Sequence, residues 1–263
     1  MVSVVIPTYN DNDRLSLVLW GLTQQTYKDF EIIIVNDGGD DEAKNLVRQH
    51  QSVLNIHYRY LHPKSEKYRP SAARNLGIEH AISERIIFID GDVIPSACLI
   101  QEHSRHDDRL TIVAGVRYRV KEDEIHALIH TMRTGNMSYE YIMSKTYIDD
   151  QRIMDPKYSK RFTSLSRNHF DTVDYATSLG NACLCPSMNI SYSRRLLTNL
   201  NGFDVRYDGF LHGEDHDLAI RALKRGARCV TLPDVPVYHL DHPPRAERND
   251  RLMHSLLTAA RLS

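Results

Sequence analysis

Long apolar runs are missing from this sequence. No stretch of about 18 apolar residues occurs, so the chain offers no candidate membrane-spanning helix. The first residues, MVSVVIPTYN, are a short apolar segment that has neither the basic flank nor the long apolar core of a signal peptide. We therefore expect a cytoplasmic protein.

An excess of charge of one sign is also absent. The sequence contains 33 Lys and Arg residues against 34 Asp and Glu residues, which gives a formal net charge of −1. A balanced chain has no global field to attract nucleic acid or an anionic membrane surface. We expect no nucleic-acid partner, and any ligand must be recognised by local groups.

Cysteine is scarce, and its spacing fits neither a zinc ribbon nor a disulfide framework. The four cysteines are Cys98, Cys183, Cys185 and Cys229. A single CxC pair is a weak metal signal, so we expect reduced, partly buried thiols. A chain of 263 residues can bury a large core without cross-links, and no internal repeat is visible, so one domain over residues 1–263 is predicted.

Strand-like and helix-like segments alternate through the first half of the chain. The β-branched apolar segments are SVVIP, FEIIIVND, IHYRYL and RIIFIDGD, and an amphipathic segment of helix length separates each from the next. Uninterrupted apolar strands with helical crossovers are typical of a parallel sheet that is covered on both faces. We predict an α/β fold with a single doubly wound, mostly parallel sheet.

The second half of the chain is less regular. From about residue 126 to residue 174 the periodicity is lost, which predicts an irregular or helical insertion over the site. A strand and a helix are then predicted in MNISYSRRLLTNLNGF, a helix in HGEDHDLAIRALKRGA and a strand in RCVTLP. An amphipathic helix over residues 246–263 is a candidate for peripheral association with a membrane.

Two carboxylates, Asp90 and Asp92, follow a long apolar strand and are separated only by Gly91. A solvated turn is the simpler interpretation of such a pair. However, Thr8 and Asp37 also end predicted parallel strands, and ligands collect at the carboxyl ends of such strands. A divalent cation that bridges carboxylate and diphosphate oxygens would relieve the repulsion, which favours Mn²⁺ or Mg²⁺ with a diphosphate.

Six segments, taken in order, resemble a known family. They are VSVVIPTYN, QTYKDFEIIIVNDGGDDEA, SAARNLGIEHA, FIDGDVIP, MNISYSRRLLTNLNGFD and HGEDHDLAIRALKRGAR. Over about residues 1–120 and 180–240 the sequence resembles family 2 glycosyltransferases with the GT-A fold. The later segments also resemble polypeptide N-acetylgalactosaminyltransferases and bacterial chondroitin-type polymerases. The resemblance implies a nucleotide-binding half over residues 1–120 and an acceptor and catalytic half over residues 121–245.

The resemblance implies that the donor is a UDP-sugar. The residues then expected to contact it are Pro7, Thr8, Tyr9, Asp37, Arg74, Asp90 and Gly91. Tyr9 would offer an aromatic face, although a packing role is an equal alternative. Arg74 would reach the nucleotide from the start of a helix that Ser71 could cap. Lys67 and Arg69 are lower-ranked candidates for the diphosphate.

A catalytic base is also implied by the resemblance. Asp215 is the predicted base and Glu214 the alternative, although acidic residues in a first helical turn ordinarily only complement the helix dipole. Helical spacing predicts that Glu214 and Asp217 face one side and Asp215 another, so only one of the adjacent acids should matter strongly for catalysis.

The implied metal site draws on two parts of the sequence. The predicted ligands of Mn²⁺ or Mg²⁺ are Asp90, Asp92 and His242. His242 is the second histidine of a His-x-x-His pattern, and imidazole suits manganese better than magnesium. His239 is expected to belong to the preceding strand and not to bind metal. The N-acetylgalactosaminyltransferases carry a histidine where this sequence has Asp92, which leaves the assignment of coordination positions open.

The predicted function is metal-dependent transfer of a sugar from a UDP-sugar to a hydroxyl acceptor, with inversion as in most family 2 members. The acceptor would be a glycan, a lipid carrier or a protein. A nucleotidyltransferase is an alternative, but IPTYNDND lacks the Gly-rich, basic phosphate loop expected near its first strand. A non-catalytic protein that binds nucleotide sugars is a second alternative. The presence of both Asp92 and Asp215 favours an active enzyme over this alternative.

Overall fold

The computed structural model describes residues 1–63, 67–147, 187–209 and 213–243, together with Ser255. The insertion beyond residue 147, Cys183, Cys185 and all but one residue of the predicted C-terminal helix lie outside the described residues. Within them, no helix has the length and apolar character needed to cross a membrane. Cys98 and Cys229 are free thiols, the first half-buried and the second buried, as predicted.

Four parallel strands form the first half of the sheet, and a helix follows each of the first three. In chain order the elements are β1 (Val2–Thr8), α1 (Asn12–Thr23), β2 (Phe30–Asn36), α2 (Glu42–His50), β3 (Ile56–Tyr60), α3 (Pro70–His80) and β4 (Arg85–Phe88). The strands pair in the order β3-β2-β1-β4. Every residue of β2 is buried, as expected for a central strand that helices cover on both faces.

Strands with both parallel and antiparallel pairing complete the sheet. The remaining elements are β5 (Val93–Pro95), α4 (Leu99–Ser104), β6 (Thr111–Val120), α5 (Ile125–Arg133), α6 (Tyr139–Ser144), β7 (Thr146–Tyr147), β8 (Ile190–Ser193), α7 (Arg194–Asn199), α8 (Glu214–Lys224) and β9 (Arg228–Leu240), with single 3₁₀ turns at Glu122–Glu124 and Val205–Tyr207. The order β4-β8-β6-β9-β5 continues the sheet, and β7 pairs with β6. The β6–β9 pair is parallel and the others are antiparallel.

Strand β9 joins two segments that the sequence predicts separately. RCVTLP is predicted as a strand and His239 is expected to lie in a strand, and the structure has one continuous strand from Arg228 to Leu240. Its last residues pair with β6 beyond a register shift at Gly115/Val116, so that His239 lies opposite Arg119. This continuous strand matters because it carries the predicted histidines to the edge of the sheet where β1, β2 and β4 end.

The core has one apolar layer on each face of the sheet, which confirms the doubly wound architecture. Helices α1, α2 and α4 contribute buried residues to one layer. Helices α3, α7 and α8 contribute to the other. A third cluster joins α5 and α6 to the end of β9, so the described part of the predicted insertion is largely helical and packs against the sheet.

Helix α3 approaches β1 unusually closely at Gly77. A Cβ atom at this position would lie 2.2 Å from Cγ1 of Val5, so only glycine allows the two elements to pack at this distance. Val5 itself is completely buried. This contact fixes the helix that carries Arg74 against the strand that leads to Thr8.

Candidate active site

A cavity opens at the carboxyl ends of β1, β2 and β4. Its lining residues are Pro7, Thr8, Tyr9, Asp37, Tyr68, Pro70, Ala73, Asp90, Gly91, Asp92, Met188, His239 and His242. Most of the residues predicted from the sequence are thus brought together. Five predicted residues are not in the lining: Arg74, Glu214, Asp215 and the two lower-ranked candidates, Lys67 and Arg69. Tyr68 and Met188 are in the lining, although no sequence pattern singled them out.

The turn that carries the two aspartates packs directly on the end of β1. A Cβ atom at Gly91 would lie 3.0 Å from the carbonyl oxygen of Pro7 and 3.3 Å from Cβ of Thr8. On the other side of β1, the backbone N–H of Asp37 donates to the carbonyl oxygen of Thr8 at 2.9 Å. Backbone contacts therefore hold the ends of β1 and β2 and the turn after β4 together. A side chain at position 91 would push this turn away from the end of β1.

Arg69 occupies both carboxylate oxygens of Asp37. Its backbone N–H donates to Oδ2 at 2.8 Å and its Nε–H donates to Oδ1 at 2.8 Å. Burial raises the pKa of Asp37, and the hydrogen bonds and charge of Arg69 act in the opposite direction. The structure thus gives Arg69 a carboxylate partner, and its predicted contact with the diphosphate stays a prediction.

Arg74 is a buried bridge between two acids. Its Nη2 lies 2.8 Å from Oδ1 of Asp90, and its Nη1 lies 2.8 Å from Oε1 of Glu214. The side chain is only 2% exposed, and the guanidinium lies over the ring of Phe203, 5.5 Å from its centroid. Although burial disfavours the charged form, Asp90 and Glu214 raise the pKa of Arg74. The predicted nucleotide contact of Arg74 stays a prediction.

Glu214 and Asp215 differ in environment as helical spacing predicts. Glu214 and Asp217 are buried, whereas Asp215 is half-buried. Burial and the neighbouring charge of Asp215 raise the pKa of Glu214, and Arg74 acts against this shift. The carboxylate of Asp215 accepts the N–H groups of His216 at 2.8 Å and Ser187 at 3.4 Å.

The N-terminus of α3 is capped from a distant part of the chain. The prediction that Ser71 caps this helix is wrong, because the helix begins at Pro70 and Ser71 lies within its first turn. Instead, the carboxylate of Asp208 accepts the backbone N–H groups of Ser71 at 2.9 Å and Ala72 at 3.3 Å. Asp208 therefore joins the second half of the chain to the helix that carries Arg74.

A second link between the halves lies one turn further along α3. The amide of Asn75 donates to the carbonyl oxygen of Phe203 and accepts its N–H, both at 2.8 Å. The preceding Gly202 has φ +66, and a Cβ atom there would lie 2.3 Å from Oδ1 of Asn75. The NGF segment therefore fits α3 only with glycine at its centre, and the fit places the ring of Phe203 beneath Arg74.

Asp92, His239 and His242 form the group of potential metal ligands in the described part of the chain. One ligand atom from each lies within 4.8 Å of the others. Nε2 of His242 is 3.0 Å from Oδ2 of Asp92, and Nε2 of His239 is 4.0 Å from Oδ1. One carboxylate and two imidazoles are a donor set that suits a first-row transition metal such as Mn²⁺ better than Mg²⁺. The residues present therefore fit the predicted metal.

Two details of this group differ from the sequence-based interpretation. His239 belongs to β9, as predicted, but its Nε2 lies on the side of Asp92, which makes it a third candidate ligand. The three-residue spacing from His242 was the available signal. Asp90 is outside the group, and one of its oxygens contacts Arg74. It lines the same cavity, so its predicted role as a ligand stays a prediction.

The sequence profile described as Glycosyl transferase family 2 matches residues 3–172, which is more than half of the chain. The chain therefore belongs to this family. The predicted resemblance to this family is confirmed.

Relatives and solved structures agree with the family assignment. The chondroitin synthase of Escherichia coli is 24% identical over 263 residues, covering 95% of this chain and 36% of the relative. The S. aureus TarS fragment 1–349 in complex with UDP-GlcNAc superimposes with a TM-score of 0.68 at 16% identity, covering 98% of this chain and 65% of that one.

A third similar protein is the mannosyltransferase PcManGT from Pyrobaculum calidifontis, solved with GDP-Man and Mn²⁺. Its TM-score is 0.59 at 19% identity, with 92% of this chain and 57% of that one covered. Similarities at this level of identity establish the fold, and the predicted GT-A fold is confirmed. The chain spans about a third of the length of the chondroitin synthase.

Replacing Arg74 by methionine tests the buried bridge. Arg74→Met leaves Glu214 buried without its counter-charge, and removing one partner of such a pair costs about 3–5 kcal/mol. We expect the free energy of unfolding, measured by urea denaturation at pH 7, to fall by about 3 kcal/mol or more.

The double variant Arg74→Met/Glu214→Met provides the matched control. It replaces both charges by apolar groups of similar size and should recover part of the stability lost in the single variant. Simple additivity of the two single-variant losses would show that Arg74 and Glu214 are not energetically coupled and would contradict the assignment.

Proposed function

We propose that the chain transfers a sugar from a UDP-sugar to a hydroxyl group of an acceptor, with Mn²⁺ or Mg²⁺ bound at Asp92. One observation carries this proposal: a single cavity holds the predicted nucleotide contacts other than Arg74 and the potential metal ligands side by side. The family membership supports the reaction class, and the UDP-GlcNAc bound by the TarS fragment supports the donor class.

The uridine is assigned to the part of the cavity lined by Thr8, Tyr9 and Asp37. Tyr9 is 39% exposed, which leaves its ring available for contact with the base. Each oxygen of Asp37 accepts one hydrogen bond from Arg69, and a carboxylate oxygen has a second lone pair with which to accept the imide N–H of uracil. In this role Arg69 holds the carboxylate of Asp37 in place, and Asp37 contacts the nucleotide.

The diphosphate is assigned to the part of the cavity lined by Asp90, Gly91 and Asp92. Asp92, His239 and His242 would hold the metal, and the second carboxylate oxygen of Asp90 is a further candidate ligand. When bound, the metal would offset the negative charge that accumulates on the departing diphosphate. The Mn²⁺ in the PcManGT complex supports a metal in this fold.

Asp215 is the proposed catalytic base. Glu214 is buried and engaged by Arg74, whereas the less buried Asp215 accepts hydrogen bonds from the backbone N–H groups of His216 and Ser187. Asp215 would accept the proton of the acceptor hydroxyl as its oxygen attacks the anomeric carbon. The new glycosidic bond forms as the bond from the anomeric carbon to the diphosphate oxygen breaks, so UDP leaves in one inverting displacement without a covalent intermediate.

A glycan is the acceptor that the comparisons favour, because the E. coli relative is a chondroitin synthase. A lipid-linked or protein acceptor would be served by the same chemistry, since each presents a hydroxyl group. Acceptor contacts are expected from the half over residues 121–245, which includes helices α5 and α6.

Metal and UDP should bind cooperatively, because the diphosphate supplies ligands to the metal and the metal offsets its charge. By linkage, Mn²⁺ should raise UDP affinity by the same factor as UDP raises Mn²⁺ affinity, and we expect a factor of about 5 or more. Isothermal titration of UDP in excess manganese and in chelator measures this factor. GDP is the matched control for base recognition. The proposed metal role fails if UDP affinity is equal in manganese and in chelator.

The two adjacent acids can be distinguished by amide substitution. Asp215→Asn keeps the size of the side chain but cannot take up the proton, so release of UDP from the preferred UDP-sugar should slow by about 100-fold or more with UDP affinity unchanged. Glu214→Gln should lose less activity and more stability. The reverse pattern, an active Asp215→Asn and an inactive Glu214→Gln, would identify Glu214 as the base.

A further inference from the structure

Asp241 lies immediately after β9, between the two candidate metal-binding histidines, and its carboxylate is fully engaged by three side chains. Oδ1 accepts Nε–H of Arg119 at 2.8 Å and lies 3.2 Å from Nδ1 of His239. Oδ2 accepts the hydroxyl proton of Tyr147 at 2.7 Å. None of these contacts involves a residue that the sequence had assigned to catalysis or to nucleotide binding.

The backbone of Asp241 is held as firmly as its side chain. Its N–H donates to the carbonyl oxygen of Val120 at 2.9 Å, which extends the pairing of β9 with β6 by one residue. Its carbonyl oxygen accepts Nη2–H of Arg14 at 2.7 Å, and the same guanidinium donates through Nε to the carbonyl oxygen of Leu240 at 3.3 Å. The carboxylate is therefore fixed relative to β6 and α1.

Strand register explains why these partners meet. Arg119 of β6 lies opposite His239 of β9 on one side and opposite Tyr147 of β7 on the other. The side chains of Tyr147, Arg119 and His239 therefore lie side by side on three adjacent strands. Asp241, just after β9, contacts all three. The position of His239 therefore depends on the antiparallel pairing of β6 with β7.

A carboxylate beside Nδ1 decides which nitrogen of an imidazole carries the proton. The hydrogen bond to Asp241 requires a proton on Nδ1 of His239. In the neutral imidazole the lone pair is then on Nε2, which lies 4.0 Å from Oδ1 of Asp92. Metal-binding histidines commonly donate their other ring N–H to a carboxylate in this way, which fixes both tautomer and ring orientation.

We propose that Asp241 is a positioning residue that fixes the Nδ1–H tautomer of His239 and so completes a metal site with Asp92 and His242. This inference rests on the proposed function, because it presumes that a metal binds at Asp92. It adds a residue that touches neither metal nor substrate and acts only through His239.

Manganese affinity in the presence of saturating UDP, measured by isothermal titration, tests this role. Asp241→Ala should weaken Mn²⁺ binding by about 10-fold or more, the usual effect of removing such a partner. In a His239→Ala background the same substitution should have no further effect, since a residue that acts through His239 has nothing left to orient. UDP affinity in chelator should be equal in all four proteins.

Two outcomes separate this inference from the proposed function. If Asp241→Ala binds Mn²⁺ as tightly as the unsubstituted chain while His242→Ala binds it weakly, or if Asp241→Ala weakens binding equally with and without His239, the role of Asp241 is wrong and the metal site stands. If the unsubstituted chain binds no Mn²⁺ with UDP, the metal in the proposed function is wrong as well.

A second measurement does not require that Asp241→Ala folds. The ¹⁵N chemical shifts of the ring nitrogens distinguish the two neutral histidine tautomers, and His239→Ala identifies the signals of His239. In the metal-free protein the inference requires a protonated Nδ1 and an unprotonated Nε2. The Nε2–H tautomer would overturn it.

Discussion

The buried guanidinium of Arg74 is the interaction on which the arrangement of the site depends. Asp90 belongs to the turn after β4, and Glu214 belongs to the first turn of α8, so this one cation joins the two halves of the chain. Its position follows from the close packing of α3 on β1 at Gly77. Without a cation at this point, Asp90 and Glu214 would be placed close together as uncompensated carboxylates in a region of low dielectric.

The ion pair also explains how two aspartates can follow one strand without mutual repulsion dominating the site. Arg74 neutralises Asp90 from inside the protein, whereas Nε2 of His242 lies 3.0 Å from an oxygen of Asp92. Each aspartate thus has its own partner. Arg74 pairs with Glu214 and not with the adjacent Asp215. The carboxylate of Asp215 is therefore less restricted by other side chains than that of Glu214.

The sequence predicts the parts of the site that strand periodicity determines. Thr8, Asp37 and Asp92 meet because parallel strands end at the same edge of a sheet, and apolar runs locate those ends. The cap of α3 by Asp208 was not predictable, because 137 residues separate it from Ser71 and no local pattern encodes that contact. The orientation of His239 was missed for a similar reason: it depends on the register of β9 with β6 beyond an irregularity.

The most direct test is a crystal structure with UDP and manganese, in which anomalous scattering locates the metal. If Asp92 and the histidines hold the metal while Arg74 holds Asp90, the manganese peak will lie within about 2.3 Å of an Asp92 oxygen and a His242 ring nitrogen. Arg74 will still contact Asp90 and Glu214. A manganese peak without contact to Asp92, or an Arg74 side chain that has left Glu214, would contradict this division of roles.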